Sequence, residues 1–153
     1  MRTKNRWTMQ LLIIASGFTC AGAFADNCSG YNSLVQMSSH TLDLGKGMTL
    51  TVFLATSTAT SSDSSHNLET GECSGTALST PDGKVSSVGY CARHDKDGDL
   101  VSYGWAHAAG AERGTWKTTG GTGKFAGKSD SGWFLDVVAD GKLFVSQWGG
   151  NCQ

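Results

Sequence analysis

Proline is almost missing: the 153-residue chain has one, Pro81. After residue 25 no stretch repeats apolar residues at helical spacing, which argues against an amphipathic helical bundle. There is no Cys-x-x-Cys, the usual framework of a structural zinc site. A Gly-x-Ser-x-Gly elbow is also missing, so a hydrolase triad has no support. Charged residues are few, at 16%, and no basic stripe is available to neutralise phosphates, so nucleic acid is not an expected partner. No apolar run is long enough to cross a bilayer as a helix.

The first residues carry a different signature. Arg2, Lys4 and Arg6 form a positive segment, Leu11 to Phe18 a short apolar core, and Ala23-Phe24-Ala25 a small-x-small cleavage site. This reads as a secretory signal peptide over 1–25, followed by a single domain over 26–153 in the periplasm or outside the cell. A lipoprotein signal is the rival, because Cys20 lies near the end of the apolar run, but Phe18-Thr19 matches a lipobox poorly. The leader removes three of the 12 basic residues and none of the 13 acidic ones. Nine against 13 leaves a net charge of −4, which opposes adsorption to an anionic membrane. A domain of this size is expected to hold one core.

Four cysteines stay with the mature chain: Cys28, Cys73, Cys91 and Cys152. An even number in an exported chain reads as two disulfides. Of three pairings, Cys28–Cys152 joins the ends and Cys73–Cys91 joins neighbouring strands, and these are favoured. No metal and no cofactor are expected.

What the chain does have is glycine, serine and threonine around short apolar runs of period two, the pattern of half-buried strands. Glu112 to Phe134 is the most informative stretch and reads as strand, turn, strand, turn, strand. Here Lys124-Phe125-Ala126 forms the middle strand, and glycines sit where backbones turn or approach closely. Further strands are expected at 31–37, 49–55, 75–78 (within the segment 69–79), 84–92, 100–107, 133–138 and 142–148, with a hairpin at Asp140-Gly141. Pro81-Asp82-Gly83 is a turn. Thr56 to His66 is polar and reads as an exposed, mobile loop. About eight strands must remove their edges, so an all-β closed antiparallel barrel, stapled by disulfides, is expected, with a sandwich second.

Several of these residues also carry a family likeness. Cys91 with Asp95-x-Asp97-Gly98-Asp99, then Gly114-Thr115-Trp116, Gly120 to Gly127 and Ser131-Gly132 together resemble exported bacterial members of the allene oxide cyclase-like barrels. Those in turn resemble plant dirigent proteins. The likeness spans roughly the C-terminal half. It implies a barrel with a central apolar cavity that steers cyclisation or coupling of a reactive small molecule, and it carries over no active-site residue.

The remaining candidates have competing readings. Asp95, Asp97 and Asp99 open like a calcium loop, but Leu100 and Ala106 stand where an EF-hand needs Gly and Glu, so an acidic turn is favoured. Gly127-Lys128-Ser129 lacks the first glycine of a phosphate loop, since Thr122 stands there. His40, His66, His94 and His107 show no ligand spacing, and His66 and His94 are expected in solvent. His107 shares a strand face with Tyr103 and Trp105; it is either a proton-transfer group at a barrel mouth or, as favoured, a strand end facing water. Asp136 is either a carboxylate inside an apolar barrel, with its pKa raised by desolvation, or a rim residue. The apolar face of Trp133, Leu135 and Val137 favours the rim and would leave an exposed or homo-oligomeric surface outside.

The expected function is binding of a small apolar or amphipathic molecule, with Tyr90, Tyr103, Trp105, His107 and Asp136 as pocket candidates. A cyclase or isomerase is the enzymatic alternative. A protein inhibitor of a secreted hydrolase is the third reading, and it requires a filled interior and a protruding loop.

Overall fold

The computed structural model describes residues 26–62 and 64–153. The expected leader, 1–25, lies outside them. Eight antiparallel strands follow in chain order: β1 Cys28–Gly45, β2 Met48–Ser61, β3 Glu69–Ser79, β4 Val85–His94, β5 Leu100–His107, β6 Gly114–Gly121, β7 Ser131–Asp140 and β8 Leu143–Asn151. Each pairs with its neighbours, and β8 returns to β1 from Cys28↔Gly150 to Val35↔Leu143, so the barrel is closed. Closure satisfies every edge of an eight-stranded sheet and leaves an interior about wide enough for side chains or one small ligand.

Period two is clearest in β4. Gly89, Cys91 and Arg93 are buried, while Val88, Tyr90, Ala92 and His94 face solvent. The disulfides Cys28–Cys152 and Cys73–Cys91 are both formed. The first joins the chain ends, and the second joins directly opposed residues of β3 and β4 inside the barrel. Such cross-links suit an oxidising compartment. No helix among the described residues is long and apolar enough to cross a membrane.

Up-and-down topology puts the chain ends and the β2–β3, β4–β5 and β6–β7 connections at one end, and the short hairpins at the other. Two of these connections fold inward and close their end. A 3-10 turn at Ser64–His66 delivers His66, and a second at Gly123–Phe125 delivers Phe125, with ring centroids 5.6 Å apart and neither ring in contact with solvent.

Two expectations are corrected here. Residues 56–61 are not a mobile loop: they continue β2, with Ala55, Ser57 and Ala59 inward and Thr56, Thr58 and Thr60 outward. Their inward side chains are small because larger groups from the closed end fill that space, so the alternation looked merely polar. Lys124-Phe125-Ala126 is not a strand, because Phe125 must turn into the interior to form the plug. β1 is also longer than expected. It pairs with β2 as far as Gly45 but with β8 only to Val35, so the distal half of the β1–β2 hairpin extends past the β1–β8 seam.

Candidate functional site

Inward residues of the strands line a partly open cavity of about 400 Å³. One cross-strand row runs Phe53, Gly75, Gly89, Trp105, Trp116. The two glycines give the Trp105 indole a flat bed: a Cβ on Gly75 would lie 2.7 Å from its ring, closer than such contacts allow. Trp105 stacks on Phe53 at 6.1 Å and meets Phe134 edge-on at 6.3 Å. Trp116 and Trp148 pack edge-on at 5.8 Å. The wall is therefore a collar of aromatic rings, each fixed by the next.

Toward the plugged end the lining becomes polar. Glu69, the first residue of β3, is buried and accepts the Tyr103 hydroxyl on both carboxylate oxygens, at 2.9 and 2.8 Å. His66 Nδ1 lies 2.9 Å from Glu69 Oε1, and its Nε2 lies 3.1 Å from Asp130 Oδ2. Each ring nitrogen of His66 thus faces a carboxylate oxygen, and Nδ1 also lies 3.1 Å from the Tyr103 hydroxyl. Asp130, also buried, holds the Gln153 backbone N–H with its other oxygen.

Arg93 enters this group from β4. Its Nη2 donates to Asn32 Oδ1 at 2.9 Å, and Asn32 Oδ1 also accepts the Ser57 hydroxyl at 2.9 Å. The guanidinium lies over the Tyr103 ring at 5.2 Å and against the Cys73–Cys91 sulfurs. Burial pulls its pKa below the ordinary value, opposed by Tyr103 and Glu69. Burial first, and then the Glu69 charge, push the Tyr103 phenol far above its ordinary range, so it stays a protonated donor.

Of the expected pocket residues, the structure brings Tyr103, Trp105 and Asp136 into the cavity lining. Asp136 remains solvent-exposed, but on the inward face of its strand rather than the outward one. Its strand turns Phe134 and Asp136 inward, and it accepts the Ser146 hydroxyl at 2.6 Å. Trp133 takes the outer face instead, under the Arg113 guanidinium at 4.1 Å. Tyr90 is a correction: it is 66% exposed on the outside of β4, because Gly89 and Cys91 occupy the inner positions on either side. His107 packs half-buried against Phe134 at 6.1 Å and is not part of the lining. His66, expected in solvent, is buried. Sequence reasoning missed Asn32, His66, Glu69, Arg93 and Asp130. The available signal was Arg93, two residues after Cys91 on the same strand face.

The acidic turn has its own cation. Asp95 Oδ1 accepts the Asp97 and Asp99 backbone N–H groups at 2.9 Å each, and the Lys124 ammonium lies 2.5 Å from its other oxygen. Among the described residues His66, Asp130 and Cys152 also converge. Cys152, however, is bonded to Cys28 and offers no thiolate, so the group does not form a metal ligand set.

No protein-family profile matches the chain, and no curated protein sequence matches it. Solved structures do. The pterocarpan synthase dirigent protein GePTS1 is similar over 80% of this chain and 80% of its own, with 15% identity and a TM-score of 0.50. That likeness is one of fold, the dirigent-type barrel.

Proposed function

We propose that the barrel is an exported binding protein for one small amphipathic molecule, held with its apolar body in the aromatic collar and its polar end toward Arg93 and Tyr103. The observation that carries this reading is the hollow interior. About 400 Å³ lies inside a closed barrel, within the range of about 300–1,000 Å³ typical of small-molecule sites. Apolar lining with a few convergent polar groups is also the composition such sites show. The disulfides and the dirigent-type fold support the same reading. A cavity opposes the protein-inhibitor reading, which needs a filled core. The cyclase or isomerase alternative shares this cavity and draws on the buried hydroxyl, imidazole and carboxylates near it.

N-Phenyl-1-naphthylamine, a neutral apolar dye that brightens out of water, tests the reading. The expected result is saturable binding of one dye per barrel, lost in Ala77→Trp, a substitution that fills the lining while the unfolding midpoint is maintained. Dye binding that does not saturate, or that survives Ala77→Trp unchanged, would refute the cavity as the binding place.

A further inference from the structure

Arg93 has too few acceptors for its position. A guanidinium offers five N–H donors in a fixed fork, and a buried one requires partners for them. Arg93 is 8% exposed and lines the cavity. Among the described residues, its only full hydrogen bond to oxygen or nitrogen is Nη2 to Asn32 Oδ1. Its Nε has no partner. Nη1 reaches Glu69 Oε2 only at 3.9 Å, too long for a hydrogen bond.

The carboxylates that could complete it are committed elsewhere. Glu69 already receives the Tyr103 hydroxyl across both oxygens and has His66 Nδ1 at 2.9 Å, and Asp130 receives the Gln153 N–H and has His66 Nε2 at 3.1 Å. The sulfurs beneath Arg93, at 3.8 and 4.0 Å, are weak acceptors. The fork is held in place by Asn32 and by the Tyr103 ring, and it still has donors to give. This is the arrangement of a receptor for a planar anion, for which Arg is better suited than Lys.

Building on the proposed binding role, we infer that the natural ligand is an amphipathic anion whose carboxylate, or an equivalent planar acceptor, is received at the polar end of the cavity by Arg93. Asp136 bears on which anion fits. Its carboxylate also faces the cavity, joined to Ser146, which sits opposite Asn32 in the β1–β8 pairing. A ligand with one anionic group and an apolar remainder gives Arg93 its acceptor and keeps charge away from Asp136. A dianion would place a second charge where Asp136 opposes it.

Displacement of N-phenyl-1-naphthylamine by two probes of one shape tests this: naphthalene-1-acetate, and naphthalene-1-ethanol as its neutral counterpart. The alcohol is the more apolar of the pair, so burial alone favours it. The inference expects the wild-type protein to prefer the acid by about tenfold or more, the worth of a charge-assisted pair. Arg93→Gln should abolish that preference, and Arg93→Lys, which keeps the charge but not the fork, should retain part of it. Equal displacement by both probes in the wild type would overturn the anion while leaving the cavity intact. A preference that persists in folded Arg93→Gln would overturn Arg93 as its receptor. The wild-type pair decides the matter even if the variants do not fold. Failure of the dye itself to bind would strike the cavity reading rather than this one.

Discussion

Glu69→Gln changes one charge and almost no volume, at the most enclosed carboxylate lining the cavity. In the wild type Glu69 is 1% exposed and serves three partners. Its nearest contact with Arg93 is 3.9 Å, which at an effective dielectric near 20 corresponds to about 4 kcal/mol of attraction. The Tyr103 hydroxyl bonds a charged acceptor, worth about 1.5–3 kcal/mol, and would retain roughly half of that on a neutral amide. The amide must also turn an NH2 toward the donating Tyr103 hydroxyl on one side. Breaking one partner of a buried charged group costs about 3–5 kcal/mol, because the other charge is left uncompensated.

Urea unfolding with the disulfides intact is the assay. A slope of about 1–3 kcal/mol per molar for small proteins turns that loss into a midpoint shift of about 1 M or more. The double variant Glu69→Gln/Arg93→Met should be more stable than the two single losses sum to, since it removes the orphaned charge as well. A Glu69→Gln midpoint indistinguishable from wild type, or strict additivity in the double variant, would refute the claim that the Glu69 charge offsets the buried Arg93 charge.

Other expectations follow from the same structure. Spectrophotometric titration, taken as the difference from Tyr103→Phe, should show the Tyr103 phenolate only as the protein unfolds at high pH, because its raised pKa contributes stability below about pH 10 that is lost above it. The Asp95 carboxyl is held below its ordinary value, chiefly by its hydrogen bond to Lys124 and then by the turn N–H groups. Its contribution is therefore present above about pH 4 and lost as pH falls through the lowered value, so Asp95→Asn should flatten the acid limb of the thermal stability curve. Removing Cys28–Cys152, with a sequence separation of 124, should cost about 5 kcal/mol in the chain-entropy account, against about 3 for Cys73–Cys91, with a separation of 18, as measured by denaturant unfolding.

The strands were legible because β sequences of this kind alternate, and alternation survives even where residues are polar. The alternation of β4 and β5 was legible, but not which face turns inward: Tyr90 was expected in the pocket, although Gly89 and Cys91 hold the inner positions. Thr56 to Ser61 failed for a physical reason: its inward positions are Ala and Ser, whose size reflects what fills the barrel opposite them rather than the strand itself. The polar end of the cavity was illegible on similar grounds. His66, Glu69 and Asp130 come from two connections and the start of a strand, spread over 65 residues, and only closure of the barrel end brings them to Tyr103. The face of β7 that turns inward was misread because the apolar run Trp133, Leu135, Val137 suggested a core, whereas Trp133 lies outside beneath Arg113 and Phe134 and Asp136 face the cavity.

The four tryptophans among the described residues give the most direct test of the hollow barrel, since three of them line it and one does not. Trp105, Trp116 and Trp148 face the cavity, while the Trp133 indole N–H donates outward to Asp26 at 2.8 Å. In a nitrogen–proton correlation spectrum, stoichiometric N-phenyl-1-naphthylamine should shift the indole signals of the three lining residues and leave that of Trp133 in place. Movement of Trp133 alone, or of none of the four, would contradict an interior that accepts a guest.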